Sequence, residues 1–293
     1  MPFPARFPAG FLTAGIVGLC LSATVSAQES AVEKGAYLVR AAGCLACHTD
    51  EANGGEAYAG GRALNTPFGT FYSPNITSDP ETGIGAWSDD DFVNALRHGE
   101  SPDGDNLFPV FPYTSYSGMR RDDMLAIKAY LMSLPPVSKA NKDHEAGFPF
   151  GFRPFLTVWK WLNFDPVELA EDSNRDAAWN RGRYLVEALA HCGECHTPRN
   201  AMGGLDDSLF LAGTADGPDG EKVPNITPHE TGIGDWSEGD IVTLLRDGMK
   251  PNFDDVQGSM AEAVRDGLSH LTDEDLDAIA TYLKAIPPIA NAP

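Results

Sequence analysis

Apolar positions along the chain fall into short helical periods separated by Gly/Pro-rich loops, and the periods come in pairs. Glu33-Lys34-Gly35-Ala36-Tyr37-Leu38-Val39 and Asn180-Arg181-Gly182-Arg183-Tyr184-Leu185-Val186 each predict a short amphipathic helix running toward a C-x-x-C-H pentapeptide. Asn75-Ile76-Thr77 and Asn225-Ile226-Thr227 open a second matched pair of loops, each feeding a capped helix. Ser88 and Ser237 are the N-cap candidates, acidic residues fill the first turns, and Gly99 and Gly248 are the stops. The last pair spans Asp122 to Leu134 and Thr272 to Ile286, closed by Pro135-Pro136 and Pro287-Pro288. No alternating strand pattern of any length is visible, so the expected class is all-α, built by internal duplication.

The ends and the middle complete the division. Arg6, an apolar stretch from Phe11 to Ala23 and then Val25-Ser26-Ala27 read as a secretory signal over residues 1–27. That apolar stretch is shorter than the ~20 residues needed to span a bilayer. Cys20 is expected to leave with the leader. Residues 28–137 and 177–293 are then the two domains, and residues 138–176 a linker. Phe148, Phe150, Phe152, Phe155, Trp159, Trp161 and Phe164 crowd that linker, which predicts aromatic packing across the domain interface, with a docking surface for a partner as the alternative.

Charge narrows the partners. The chain carries 21 basic residues; loss of Arg6 with the leader leaves 20 against 42 acidic ones, a formal net charge of −22. Such a surface is a poor match for nucleic acid, because phosphate binding needs basic residues. It suits solubility or attraction to a basic patch on a redox partner. No later segment is long and apolar enough to cross a membrane, so the mature chain is expected to be a soluble periplasmic protein.

Without Cys20, four cysteines remain, and all lie in Cys44-Leu45-Ala46-Cys47-His48 and Cys192-Gly193-Glu194-Cys195-His196. Two cysteines three apart present their sulfurs on one side of a helical turn, where they can bond the two vinyl groups of haem while the adjacent histidine meets the iron. A zinc site would need further Cys or His ligands at suitable spacing. The expected cofactors are therefore two covalently bound haem c groups, held by Cys44, Cys47, Cys192 and Cys195, with His48 and His196 as proximal ligands. Met260 is the candidate distal ligand of the second iron, from a loop ahead of the last helix, with Met249 and His270 as competitors and Met202 nearer the motif than expected. For the first iron the candidate is Met119, with His98 as the alternative; Met124 and Met132 read as core or helix-surface residues. By repeat register Met119 does not match Met260, so the distal sides are expected to differ. Tyr37, Tyr184, Trp87, Trp236 and the Asn-Ile-Thr loops are expected to line the crevices. Asn75 and Asn225 have a propionate, a loop backbone or turn formation as candidate roles, and His144, His191 and His229 are expected at the surface.

These residues, together with Phe108-Pro-Val-Phe-Pro-Tyr-Thr-Ser-Tyr116, the aromatic middle, Thr197-Pro-Arg199-Asn200 and Ser259-Met260-Ala261-Glu262, resemble the cytochrome c subunits of periplasmic alcohol, gluconate and sugar dehydrogenases. The resemblance implies two tandem class I cytochrome c domains and His/Met ligation, which supports Met119 and Met260. It also implies an electron carrier and not an enzyme: a periplasmic or membrane-associated dehydrogenase as donor, another cytochrome or a terminal oxidase as acceptor. Many such subunits carry three haems and a membrane-attaching carboxy terminus, so this chain resembles a shortened, soluble member. The alternative is a two-haem enzyme of the cytochrome c peroxidase type, in which one iron needs an open distal position.

Overall fold

The computed structural model describes Met1 and residues 30–293; the predicted leader, with Cys20, lies outside the described residues. Helix α1 covers residues 30–41, and the first cysteine motif forms the short turn α2 (Cys44–Cys47). Helices α3 (Asp89–His98), α4 (Tyr113–Tyr116) and α5 (Arg121–Ser133) complete the first half. The second half begins with α7 (Ala177–Arg183) and continues through α8 (Gly193–His196), α9 (Glu238–Asp247), α10 (Gly258–Asp266) and α11 (Asp273–Ala285). Between the halves runs α6 (Arg153–Asn163).

The local signals act where the sequence places them. Ser88 and Ser237 each accept the backbone N–H of an aspartate three residues on, and that aspartate's carboxylate returns a bond to the serine, so both helices start with a full capping box. Gly99 and Gly248 end them in left-handed conformation. In each half the first and last helices cross at a glycine: a Cβ on Gly35 would stand 1.9 Å from the Ala126 carbonyl oxygen, and one on Gly182 the same distance from that of Ala278. No larger residue permits that approach.

Three features depart from the all-α expectation and the simple duplication. First, β1 (Ala63–Thr66), β2 (Gly69–Tyr72) and β3 (Glu145–Ala146) form a small antiparallel sheet. Its strands are too short to show periodicity, and β3 lies in the linker, which it ties back to the first half. Second, α7 passes directly into a π-helical turn, Tyr184–Leu189. Tyr37 stands seven positions before Cys44, whereas Tyr184 stands eight before Cys192; the wide turn absorbs the extra residue.

Third, neither Tyr37 nor Tyr184 borders the cavity beside His48. Each reaches across to the start of the other half's last helix. The Tyr184 hydroxyl donates to Asp123 at 2.5 Å and accepts from the Arg120 N–H; that of Tyr37 donates to Asp275 at 2.5 Å and accepts from the Thr272 N–H. Lys34 and Arg181 pair with the same two carboxylates from within their own halves. The interface is thus a reciprocal exchange about an approximate two-fold axis, and the core runs through it continuously.

The aromatic linker divides between packed and exposed side chains. Phe150 packs at a tilt on Phe68 and Phe164 on Tyr113, both in the first half, while Trp159 donates to the Met202 carbonyl of the second. Phe148, Phe152, Val158, Trp161 and Leu162 are instead exposed.

Candidate haem-attachment sites

His48 closes the α2 turn, and its Nδ1 lies 2.8 Å from the Pro74 carbonyl oxygen; His196 makes the same bond to Pro224. A carbonyl can only accept, so Nδ1 carries the proton and Nε2 presents its lone pair, the tautomer a metal ligand needs. Neither Nε2 has a hydrogen-bond partner among the described residues. Burial pushes the pKa of both imidazoles down, against the raising effect of the two carbonyls, which keeps them neutral. The close approach of these carbonyls depends on Gly60 and Gly213, both left-handed, where a Cβ would collide with the Pro74–Asn75 and Pro224–Asn225 peptides.

Asn75 and Asn225 brace the same loops. Each amide oxygen accepts from the threonine two residues on, and each amide nitrogen donates to the segment beyond the last helix, at Val137 and Ile289. Both amides are thus bound to loop backbone, and Asn75 does not border the cavity beside His48.

In the first half, His48, Cys44, Cys47 and Met119 border one cavity of about 590 Å³, otherwise lined mostly by aliphatic and aromatic side chains, among them Trp87, Phe92, Leu96 and Ile127. Met119 is fully buried, in the bend between α4 and α5. His98 is exposed, and its side chain borders no part of the cavity. Met124 is buried core and Met132 lies exposed on α5, as expected.

In the second half Met260 is partly buried and packs against the shared core. It occupies the first turn of α10 and not a loop, so the two candidate distal residues sit on different scaffolds: a bend directly before the last helix in one half, a separate helix in the other. His270 is exposed, and Met249 is held in a bridge to Asp255.

Two histidines are not surface residues. His144 packs between Phe71 and Phe108, with Nδ1 accepting from the Tyr72 N–H, and His191 packs edge-on against Tyr116; both border the first cavity. Burial holds both pKa values below the ordinary imidazole range. Neither has a histidine at the matching repeat position, so duplication offered no signal for them.

The chemistry fits haem better than a metal ion alone. Burial pushes the Cys44 and Cys192 thiols up to about 12, so both are protonated in the free protein. Among the described residues, no group of three or more His, Cys, Asp or Glu side chains is placed to share an ion. A large apolar cavity with one free imidazole nitrogen, one thioether and two thiols at its rim matches a covalently attached porphyrin.

Comparison with known proteins agrees. The "Cytochrome c" family model matches residues 32–135, and "Cytochrome C oxidase, cbb3-type, subunit III" matches residues 177–283. A "Diheme cytochrome c-type" protein of Cereibacter sphaeroides is 44% identical over 289 residues, covering 95% of this chain and 96% of its own. The gluconate 2-dehydrogenase cytochrome c subunit of Pantoea cypripedii is 39% identical over 94% of this chain, and the fructose dehydrogenase cytochrome subunit of Gluconobacter japonicus 40% over 91%. The chain spans 64% and 55% of those two subunits' own lengths. Two cytochrome c domains and a dihaem relative along almost the whole chain carry two covalently bound haem c groups, and the chain belongs to the dihaem c-type cytochromes.

Proposed function

We propose that this protein is a periplasmic electron carrier, which accepts electrons from a dehydrogenase and passes them to another cytochrome or a terminal oxidase. The observation that carries the reading is the pairing, within one apolar crevice, of the Nε2-presenting His48 with the buried Met119. Cys44, Cys47, Cys192 and Cys195 attach the haems, His48 and His196 are the proximal ligands, and Met119 and Met260 the distal ones.

Bound haem supplies one-electron chemistry, its iron alternating between ferric and ferrous states. The protein does the rest. Pro74 and Pro224 fix the imidazole tautomer and orientation. A thioether ligand favours the ferrous state, and an apolar wall excludes water, so both raise the potential. With Met119 and Met260 as second ligands neither iron would keep an open position for peroxide, and the relatives named as dehydrogenase subunits do not favour the peroxidase alternative.

A dehydrogenase as donor is supported by relatives at about 40% identity whose names make them dehydrogenase cytochrome subunits. The exposed strip of Phe148, Phe152, Val158, Trp161 and Leu162 supports a docking face, since Gly151 and Arg153 of the same segment border the first crevice. Among the described residues no helix is long and apolar enough to cross a membrane. The leader pattern and the relation to dehydrogenase subunits support the periplasm.

The test is to mature the protein in a host that attaches c-type haem and to record spectra with and without peroxide. Two low-spin haems with no peroxide response are expected. A high-spin haem with rapid peroxide turnover would sink the carrier reading.

A further inference from the structure

The two cysteine turns are not independent, because each is covered by the other half. Arg62 donates to the Ala46 carbonyl at 2.6 Å within the first motif and pairs with Glu262 of α10, two residues after Met260. Reciprocally, Thr114 and Ser115 of α4 donate to Glu194, inside the second motif. So the segment bearing each distal methionine rests on the opposite attachment turn.

At the centre of this exchange the symmetry breaks at one pair of positions. The residue before the first cysteine is Gly43 in one half and His191 in the other, and both are left-handed, with φ of 64° and 41°. Glycine adopts that conformation freely; histidine does so with strain, which the surrounding contacts must offset. The His191 ring passes over Gly43, with Nε2 3.6 Å from where a Cβ would stand. It packs against Tyr116 with ring centroids 5.4 Å apart, and Tyr116 donates to the carbonyl of Ala42. One residue is thus bonded to Cys192 of the second site and forms part of the wall of the first crevice.

We propose that His191 couples the two haem sites, its ring shielding and tuning the first while its backbone bears the attachment cysteine of the second, so that packed protein joins them without a gap. The proposal rests on the reading that electrons pass between the two haems. The step it serves moves one electron from the reduced site to the oxidised one, with no proton transferred and no bond made or broken. Removing the ring opens the wall beside Cys44 to water, which favours the more highly charged oxidised state and lowers the potential of the first site.

The experiment uses the mature two-haem protein carrying His191→Gly, a residue suited to φ of 41°. Both midpoints are titrated, the first site being identified beforehand by Met119→Ala, and electron redistribution is followed after rapid partial reduction. The first site's redox equilibrium is expected to shift roughly tenfold toward the oxidised form, a midpoint about 59 mV lower for one electron. The second midpoint stays in place, and redistribution slows on the order of tenfold. His191→Asn, which also tolerates left-handed backbone, is read in the same way should the glycine variant accumulate poorly. An unmoved first midpoint, equal shifts at both sites or an unchanged redistribution rate overturns the assignment. A wild-type protein whose two haems never exchange an electron would instead remove the electron-relay reading, and the wild-type trace alone separates the two failures.

Discussion

Replacing Tyr37 and Tyr184 by phenylalanine removes two hydroxyls and leaves both rings in place, which isolates what the reciprocal exchange contributes to holding the halves together. Each hydroxyl donates at 2.5 Å to an aspartate at the third position of the opposite half's last helix. A hydrogen bond to a charged acceptor contributes about 1.5–3 kcal/mol. Tyr184 and Asp123 are 2% and 3% exposed, so that bond belongs near the top of the range, at ~2.5 kcal/mol. Tyr37 is half-buried, and Asp275 keeps two bonds from Arg181, so this second loss is nearer ~1.5 kcal/mol. Arg181 touches both sites, bonding Asp275 and lying over the Tyr184 ring, but both substitutions leave it and the rings in place, so the losses should sum to about 4 kcal/mol. With a urea m-value of roughly 2–3 kcal/mol/M, the first midpoint falls by about 1.3–2 M. The assay is urea unfolding of the mature protein followed by far-UV circular dichroism and, separately, by haem absorbance. Wild type should give coincident transitions; the double variant should give an earlier, biphasic one as the halves separate. Coincident transitions at an unchanged midpoint would refute the view that these hydroxyls join the halves.

Other outcomes follow from the same structure. Met119→Ala and Met260→Ala should each abolish the methionine–iron absorbance of one haem only and lower that midpoint, on the order of 100 mV within the ~0.8 V that axial ligands span; an unchanged spectrum in either refutes that ligand. Burial raises the Asp275 carboxyl, but the Arg181 and Tyr37 hydrogen bonds outweigh it and hold the pKa below the usual carboxylate value. Its contribution is therefore fully present above the unfolded pKa of roughly 3.9 and is lost as pH falls through the lower folded value. Asp275→Asn should remove that acid dependence from unfolding curves measured from pH 6 downward, and a variant with the same acid slope would contradict it. Trp161 is 82% exposed, so Trp161→Ser should leave the unfolding midpoint within ~0.5 kcal/mol of wild type while weakening capture by the donor dehydrogenase; unchanged capture would remove α6 from the docking face.

Much of this was legible because it is local. Ser88 and Ser237 announce helix starts, Gly99 and Gly248 announce stops, and each acts within one turn, so the sequence neighbourhood contains the whole cause. The C-x-x-C-H turns belong to the same class, since residue types and spacing are dictated by the group they hold. What was not legible is either too short to have a period or too distant to have a neighbour. The sheet is built from strands of two to four residues. Tyr37 meets Asp275 across 238 positions, and no periodicity encodes that contact. The π-helical turn did leave a trace, the extra residue between Tyr184 and Cys192, which a count from tyrosine to cysteine in the two halves exposes. His144 left none, and His191 only its place beside Cys192: a polar residue without a repeat partner looks like a surface residue until the fold packs it against aromatic rings.

The proximal sides of the two sites match bond for bond, whereas the distal sides differ: a fully buried Met119 in a bend against a partly buried Met260 on a helix, and a histidine reaching into the first crevice where only Gly43 stands opposite it. Identical first ligands in unequal surroundings should give unequal potentials and so a preferred direction of electron flow. A spectroelectrochemical titration of the mature protein tests this most directly. Two low-spin, one-electron transitions at separate midpoints are predicted; a single shared midpoint, or a haem lacking the methionine signature, would contradict the account.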